Sequence, residues 1–174
     1  MSMKSIAIVT AGSWLLLLAA CREPNANALY AEAHAVAPAA LAAAPAQVAQ
    51  ALPAALCNLE FAGDVAFGAD VMPLNAPVAI RGWLGSDDGA PRDPRLLLVD
   101  GTGAVAAQYP LMLDRERPDV VRAYPGRDGL QRSGFEVRVD PAALAPQDYH
   151  LYLAYDAAGG RHACDNGRRV RVSR

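Results

Sequence analysis

Apolar and polar positions alternate most regularly between residues 133 and 155. Phe135, Val137 and Val139 alternate with charged residues, and residues 149–155 alternate again after a short proline-containing corner. Successive side chains of a strand point to opposite faces of the sheet, so a period of two indicates a strand with one buried face. The pattern therefore predicts two neighbouring β-strands.

Shorter runs of the same kind extend this prediction to an all-β domain. Turn residues such as Asp100-Gly101 separate them, and one such turn predicts a hairpin. The additional strands are predicted near residues 57–67, 77–84, 95–100, 104–109 and 161–173. About seven short strands with turn signals between them are typical of a β-sandwich.

One helix is predicted among these strands. Residues 118–126 begin with Pro-Asp and end with Pro-Gly, and these residues favour the start and the end of a helix. A helix of one or two turns is expected to cross between the sheets, with Val120, Val121 or Tyr124 as its inward anchor.

The corner between the two regular strands has a recognisable sequence. Residues 144–149, LAPQDY, resemble the tyrosine corner of Greek-key sandwiches, in which a tyrosine hydroxyl near the start of a late strand bonds to backbone a few residues upstream. The resemblance implies this role for Tyr149.

A wider resemblance covers residues 57–172. The order of Gly82-Trp83, a VD-G hairpin at 99–101, RPDV at 117–120, SGF at 133–135 and a terminal cysteine resembles an immunoglobulin-like module of bacterial envelope and glycan-associated proteins. It implies an immunoglobulin-like or fibronectin-III-like Greek-key β-sandwich in an envelope protein. It transfers no catalytic residue.

The first 20 residues have the plan of a secretory signal, with a basic start, an apolar core and small residues at the end. The apolar run is too short for a membrane span. LAAC at 18–21 resembles the bacterial lipobox, which implies cleavage before Cys21 and attachment of lipid to its thiol, a stable membrane anchor. Arg22, in place of Asp, implies the outer membrane under the sorting pattern of such lipoproteins. The alternative is an ordinary cleaved signal with Cys21 at the site by chance.

Residues 21–55 are rich in alanine, and Pro38, Pro45 and Pro53 interrupt any helix at short intervals. The segment has too few large apolar residues to fold alone. It is predicted to be a tether, partly extended and partly helical, with a helix over 41–52 as an option. The folded domain is placed at residues 56–174.

Two cysteines, Cys57 and Cys164, bracket the predicted domain. In a secreted chain such a pair indicates a disulfide. A bridge over roughly 100 residues stabilises a domain by about 4–5 kcal/mol in the chain-entropy model. Two unrelated buried thiols are the alternative.

Charge and side-chain inventory argue against several functions. The formal charge of −2 and pI near 5.9 give no pull toward nucleic acid. No serine of the mature chain lies in a nucleophile-elbow pattern, and His162 with Cys164 is too small a set for zinc. A calcium site of Asp87, Asp88 and Asp93 is conceivable, although a solvated turn is the simpler interpretation. The expectation is a protein without enzymatic activity, cofactor or bound metal.

The arginine-rich end is the most suggestive polar feature. Guanidinium groups bind anionic oxygens of lipopolysaccharide, acidic glycan or an acidic partner. The candidate binding surface comprises Arg161, Arg168, Arg169, Arg171, Asp87 and Asp88. The alternative is a charged strand face that prevents edge-to-edge pairing. The loop of Arg115, Glu116 and Arg117 allows the same two interpretations: either it binds a partner, or Arg117 pairs with Asp119 or Asp114 inside the fold.

These observations support one main hypothesis about function. In this hypothesis the chain is an outer-membrane lipoprotein whose non-catalytic immunoglobulin-like module binds an envelope protein or a glycan in an accessory role. The alternative is a periplasmic inhibitor or immunity lipoprotein that blocks a cell-wall-active enzyme through the loops at 86–94 and 124–132.

Overall fold

A computed structural model describes residues 48, 51–53, 56–87 and 90–173, and these form two β-sheets packed face to face. The predicted all-β class is therefore confirmed. The strands are β1 (Leu52–Pro53), β2 (Cys57–Ala62), β3 (Val65–Ala66), β4 (Met72–Pro73), β5 (Val78–Leu84), β6 (Arg92–Val99), β7 (Val105–Pro110), β8 (Gly134–Val139), β9 (Asp148–Ala157) and β10 (Gly160–Arg171).

The long strands divide between the sheets in a non-sequential order. The first sheet has the order β1-β10-β9-β6-β7, with β4 also pairing with β10, and the second has the order β3-β2-β5-β8. Contacts between the long strands of one sheet are antiparallel, whereas β1 and β4 join β10 in parallel. The predicted last strand is continuous and contains an irregularity between Asp165 and Arg169.

A short helix, α1 (Pro118–Ala123), lies in the connection between β7 of the first sheet and β8 of the second. Pro118 occupies the start of the helix, where no backbone N–H is needed. Val120 is its buried residue, so it is the inward anchor among the three candidates. Tyr124 stays 37% exposed and contacts the Trp83 ring at 5.7 Å between centroids. The predicted helix is confirmed.

Alternate residues of both sheets meet in one core, as their period of two requires. Its members with the largest volume and almost no exposure include Tyr109, Phe135 and Tyr149. The predicted disulfide is confirmed: Cys57 of β2 and Cys164 of β10 are bonded and so join the two sheets. Trp83 is buried outside this core, in a smaller cluster with Leu56, Val120 and Leu130. It alternates with core residues of β5 and therefore lies on the other face of its sheet.

The corner before β9 has the hydrogen bond that the sequence predicted. The hydroxyl of Tyr149 donates to the carbonyl of Ala145 at 2.8 Å, and the side-chain amide of Gln147 donates to that hydroxyl at 3.1 Å. Tyr149 is 1% exposed. Its ring is thus part of the core, and its hydroxyl fixes the path by which the chain enters β9.

Tyr149→Phe should lower the free energy of unfolding by about 1 kcal/mol or somewhat more, because the Ala145 carbonyl loses its donor while the ring stays in place. Urea unfolding at neutral pH measures this change. Tyr124→Phe, at an exposed ring, is the matched control and should leave the midpoint unchanged. Equal midpoints for Tyr149→Phe and the unmodified chain would contradict the corner bond.

Candidate functional site

A pocket of about 540 Å³ opens on the outer face of the second sheet. We call it the charged pocket. Three of its side chains come from two adjacent strands: Glu60 and Phe61 from β2, and Arg81, which lies opposite Phe61, from β5. The lining residues are Glu60, Phe61, Arg81, Gly82, Asp114, Arg115, Glu116, Arg117, Gly134 and Phe135.

A β-bulge aims the β2 side chains at this pocket. The register between β2 and β5 shifts between Leu59 and Phe61, which leaves Glu60 as the extra residue. Bulges re-aim side chains and are frequent beside functional sites. Leu59 stays in the core with no exposure, while Phe61 beyond the bulge is 38% exposed.

The connecting segment before α1 forms the opposite wall. Arg115 and Gly134 exchange two backbone hydrogen bonds of 3.1 Å, an isolated antiparallel bridge to the start of β8. A Cβ atom at position 134 would lie 2.9 Å from the Cβ of Arg115. Glycine is therefore needed at this position for the segment to approach the sheet so closely.

Arg117 connects that wall to the sheet. Its Nη1 and Nη2 donate to the two carboxylate oxygens of Glu60 at 2.9 and 2.8 Å, and its Nε donates to Asp119 at 2.9 Å. These bonds raise the pKa of Arg117 above its ordinary value. The guanidinium in turn lowers the pKa of Asp119 to about 2. The expected pairing of Arg117 with Asp119 is confirmed, and Glu60 is an additional partner.

Two further arginines, Arg115 and Arg81, line the charged pocket. Arg115 forms an ion pair with Glu136 at 3.0 Å. The guanidinium of Arg81 lies 5.2 Å from the centre of the Phe61 ring, within the range of a cation–π contact, and donates to the Gly63 carbonyl. Its Nε is buried and has no hydrogen-bond partner among the described residues.

This arrangement suits the binding of a polar ligand that has one apolar face. A pocket of several hundred Å³ with a few fixed polar groups is the usual form of a ligand site. The ion pairs hold the guanidinium and carboxylate groups in place, so little side-chain entropy is lost when a ligand binds them. The accessible Phe61 ring supplies an apolar surface beside these groups.

The arginines of the predicted binding surface have intramolecular partners. Arg161 pairs with Asp156 at 2.8 Å and Asp93 at 3.2 Å, and Arg171 pairs with Asp148 at 2.5 Å. Arg161 and Arg171 lie at opposite ends of β10. These pairs tie β10 to its neighbours in the first sheet.

The remaining members of that predicted surface are dispersed. Arg168 donates to the Gly68 carbonyl at 2.8 Å. The hydrogen bond from Arg171 lowers the pKa of Asp148, and the nearby charge of Arg169 adds a smaller effect in the same direction. Asp87 follows β5 of the second sheet and pairs with Arg127. Asp88 and the predicted lipidation site Cys21 lie outside the described residues.

Of the residues that line the pocket, the sequence indicates as binding candidates only Arg115, Glu116 and Arg117 of the loop before α1. Alternation already predicted that Glu136 points away from the core, and the same rule applies to Arg81. Their proximity depends on pairing between strands distant in sequence, and Arg117 and Glu60 are 57 positions apart.

The described residues contain neither a metal-binding cluster nor a membrane-spanning helix. No group of three or more His, Cys, Asp or Glu side chains there could hold a metal ion. None of the helices in the described part of the chain has the length and apolar character needed to cross a membrane.

Comparisons with known proteins leave the family open. The sequence matches no protein-family model and no curated protein. Among solved structures, the endo-β-1,4-mannanase from Thermotoga petrophila is similar with a TM-score of 0.42 and 9% sequence identity. The similarity covers 72% of this chain and 21% of that chain, so this chain spans about a fifth of the enzyme's length.

Arg117→Met should lower the free energy of unfolding by about 2 kcal/mol at pH 7, because Glu60 and Asp119 lose charge-assisted hydrogen bonds. Asp119 has a lowered pKa, so its contribution is present above the ordinary value of 3.8 and is lost as the pH falls through about 2. The difference in free energy of unfolding between Arg117→Met and the unmodified chain should therefore become smaller from pH 4 to pH 2. Urea unfolding at several pH values measures both effects.

The control for this substitution is Arg122→Met, at an exposed position in the last turn of the same helix. It should change stability by less than about 0.5 kcal/mol. If Arg117→Met lowered the free energy of unfolding no more than Arg122→Met does, the result would contradict a structural role for the Arg117 pairs.

Proposed function

We propose that the chain is an outer-membrane lipoprotein that displays a non-catalytic, fibronectin-III-like binding module. In this proposal lipid on Cys21 anchors the mature chain, and the alanine-rich segment separates the folded domain from the membrane. The signal-like first 20 residues and the lipobox-like LAAC sequence support the anchor.

The strand order supports the Greek-key assignment. The seven longest strands divide into β2-β5-β8 and β10-β9-β6-β7. In immunoglobulin-like sandwiches the first, second and fifth strands likewise form one sheet, and the third, sixth and seventh form the other. Tyr149 supports the same assignment, because the tyrosine corner of such domains lies at the start of the sixth strand.

The observation that carries the binding role is the accessible Phe61 ring beside Arg81 in the charged pocket. A pyranose ring presents C–H groups on its face and hydroxyls at its edge. Phe61 can contact the face, while the guanidinium and carboxylate groups can hydrogen-bond the edge. We therefore favour an envelope glycan as the ligand over a protein partner.

The membrane anchor predicts a change of location in living cells. The full chain should incorporate radiolabelled palmitate and sediment with outer membranes. Cys21→Ala should abolish the label and remove the chain from the outer-membrane fraction, since the thiol that carries the lipid is missing. A Cys21→Ala chain that still incorporates palmitate or stays in the outer-membrane fraction would contradict the lipid anchor.

The charged pocket predicts crosslinks that depend on Phe61. A photoreactive amino acid at Glu116, which lines the pocket, should capture one dominant envelope component in living cells. The yield should fall at least tenfold in a Phe61→Ala chain. Mass spectrometry then assigns the adduct to glycan or to protein.

The same photoreactive group at Ala158, in the exposed turn between β9 and β10, is the matched control. Equal yields at positions 116 and 158, or a yield that Phe61→Ala leaves unchanged, would contradict a binding role for this pocket. A dominant protein adduct that requires Phe61 would retain the pocket and replace the glycan with a protein partner.

A further inference from the structure

The outer face of the first sheet contains an apolar belt between two charged ends. Leu97 and Val99 of β6 and Ala154 of β9 form a cluster separate from the core, with Val105 and Tyr152 packed against it. They alternate with core residues such as Leu96 and Leu98, so they point away from the interior of the sandwich. We call these five residues the apolar belt.

The two ends of the same face carry charged pairs. One end has the network of Arg95, Asp93, Arg161 and Asp156, and the other has the pair of Arg171 with Asp148. The apolar belt is therefore confined to the middle of the strands, between these two charged ends.

The belt is covered although it faces outward. Leu97 and Ala154 have 0% exposure and Val99 has 5%. The described residue that reaches the cluster from outside the sheet is Val48. One half-buried valine is a small cover for three apolar side chains that have almost no contact with solvent.

The path of the chain leads across this stripe. Leu52 and Pro53 pair in parallel with His162 and Ala163 at the β10 edge, and Ala51 donates to the Val48 carbonyl at 3.2 Å. Between positions 53 and 48 the chain thus passes from the β10 edge to the residues of β9 and β6. The chain before Val48 starts from a point already on the belt.

We propose that residues 41–47 lie on the outer face of the first sheet and, together with Val48, occupy the apolar belt. This inference does not depend on the ligand of the charged pocket. The segment reads LAAAPAQ, and no Asp, Glu, Lys, Arg or His occurs from residue 35 to residue 59. A segment of small apolar residues without charge suits contact with the leucine, valine and alanine side chains of the belt.

The length of the segment is sufficient. Seven extended residues span up to about 23–25 Å, whereas the distance from the first to the last of four adjacent strands is about 14 Å. The free tether would then comprise residues 22–40, and the face opposite the charged pocket would be unavailable to an external partner.

Intramolecular crosslinking of the full chain tests this placement. A photoreactive amino acid at Leu41 should form crosslinks to peptides of β6, β7 or β9 within one chain. The same group at Val36, in the remaining tether, should give at least tenfold fewer. Equal yields at the two positions, or none from position 41, would overturn the proposal. Crosslinks between ¹⁴N- and ¹⁵N-labelled chains in a mixture would also overturn it, because they identify a second copy as the occupant.

Hydrogen exchange of the unmodified chain gives an independent measurement, free of any effect of the photoreactive group. Backbone amides of residues 41–47 should exchange at least tenfold more slowly than those of residues 30–37, since they are held against the sheet. Equal rates in the two segments would contradict the proposed position.

Discussion

A junction between β2 and β10 holds the two sheets at a fixed distance, and the position of the charged pocket depends on it. Beside the disulfide of Cys57 and Cys164, the side chain of Asn166 accepts the N–H of Leu59 at 3.1 Å and donates to the carbonyl of Cys57 at 3.3 Å. The irregularity in β10 and the positive φ of Gly167 occur at this point. The junction therefore fixes the start of β2 just before Glu60 and Phe61 enter the pocket.

The two outer faces of the sandwich differ in the side chains that they present. On the second sheet, ion pairs of Arg115 and Arg117 and the apolar cluster around Trp83 hold the connection between β7 and β8. On the first sheet, the belt is apolar and charged pairs lie at its ends.

The ion pairs differ in their energetic weight. Arg171 and Asp148 are exposed, and solvent screens an ion pair of this kind strongly, so it contributes little to stability. Arg117 and Glu60 have side-chain exposures of 16% and 23%, and both Glu60 oxygens accept its hydrogen bonds. Solvent screens such a pair less. The arginines of β10 therefore serve mainly to hold the strand in its sheet, whereas Arg117 determines where the connecting segment lies.

The sequence by itself determined those features that depend on local periodicity and on a few special residues. Alternation along residues 135–139 and 149–155 predicted the strands, proline and glycine marked the ends of α1, and the two cysteines predicted the bridge. The hydroxyl bond of Tyr149 was also predictable, because its acceptor is four residues away. In each case the structure depends on residues close in sequence, or on the two cysteines that bracket the predicted domain.

Only the tertiary structure decided which outward-facing side chains meet. Glu60 and Arg117 come together through a bulge in β2, a bridge to Gly134 and the pairing of distant strands, none of which periodicity encodes. The arginines of β10 appeared from the sequence to form one cationic surface, yet strands β6 and β9 bring carboxylates to two of them. Alternation with a period of two predicts on which face of the sheet a side chain lies. Its neighbours on that face depend on strand order and register, which are established only when the whole chain has folded.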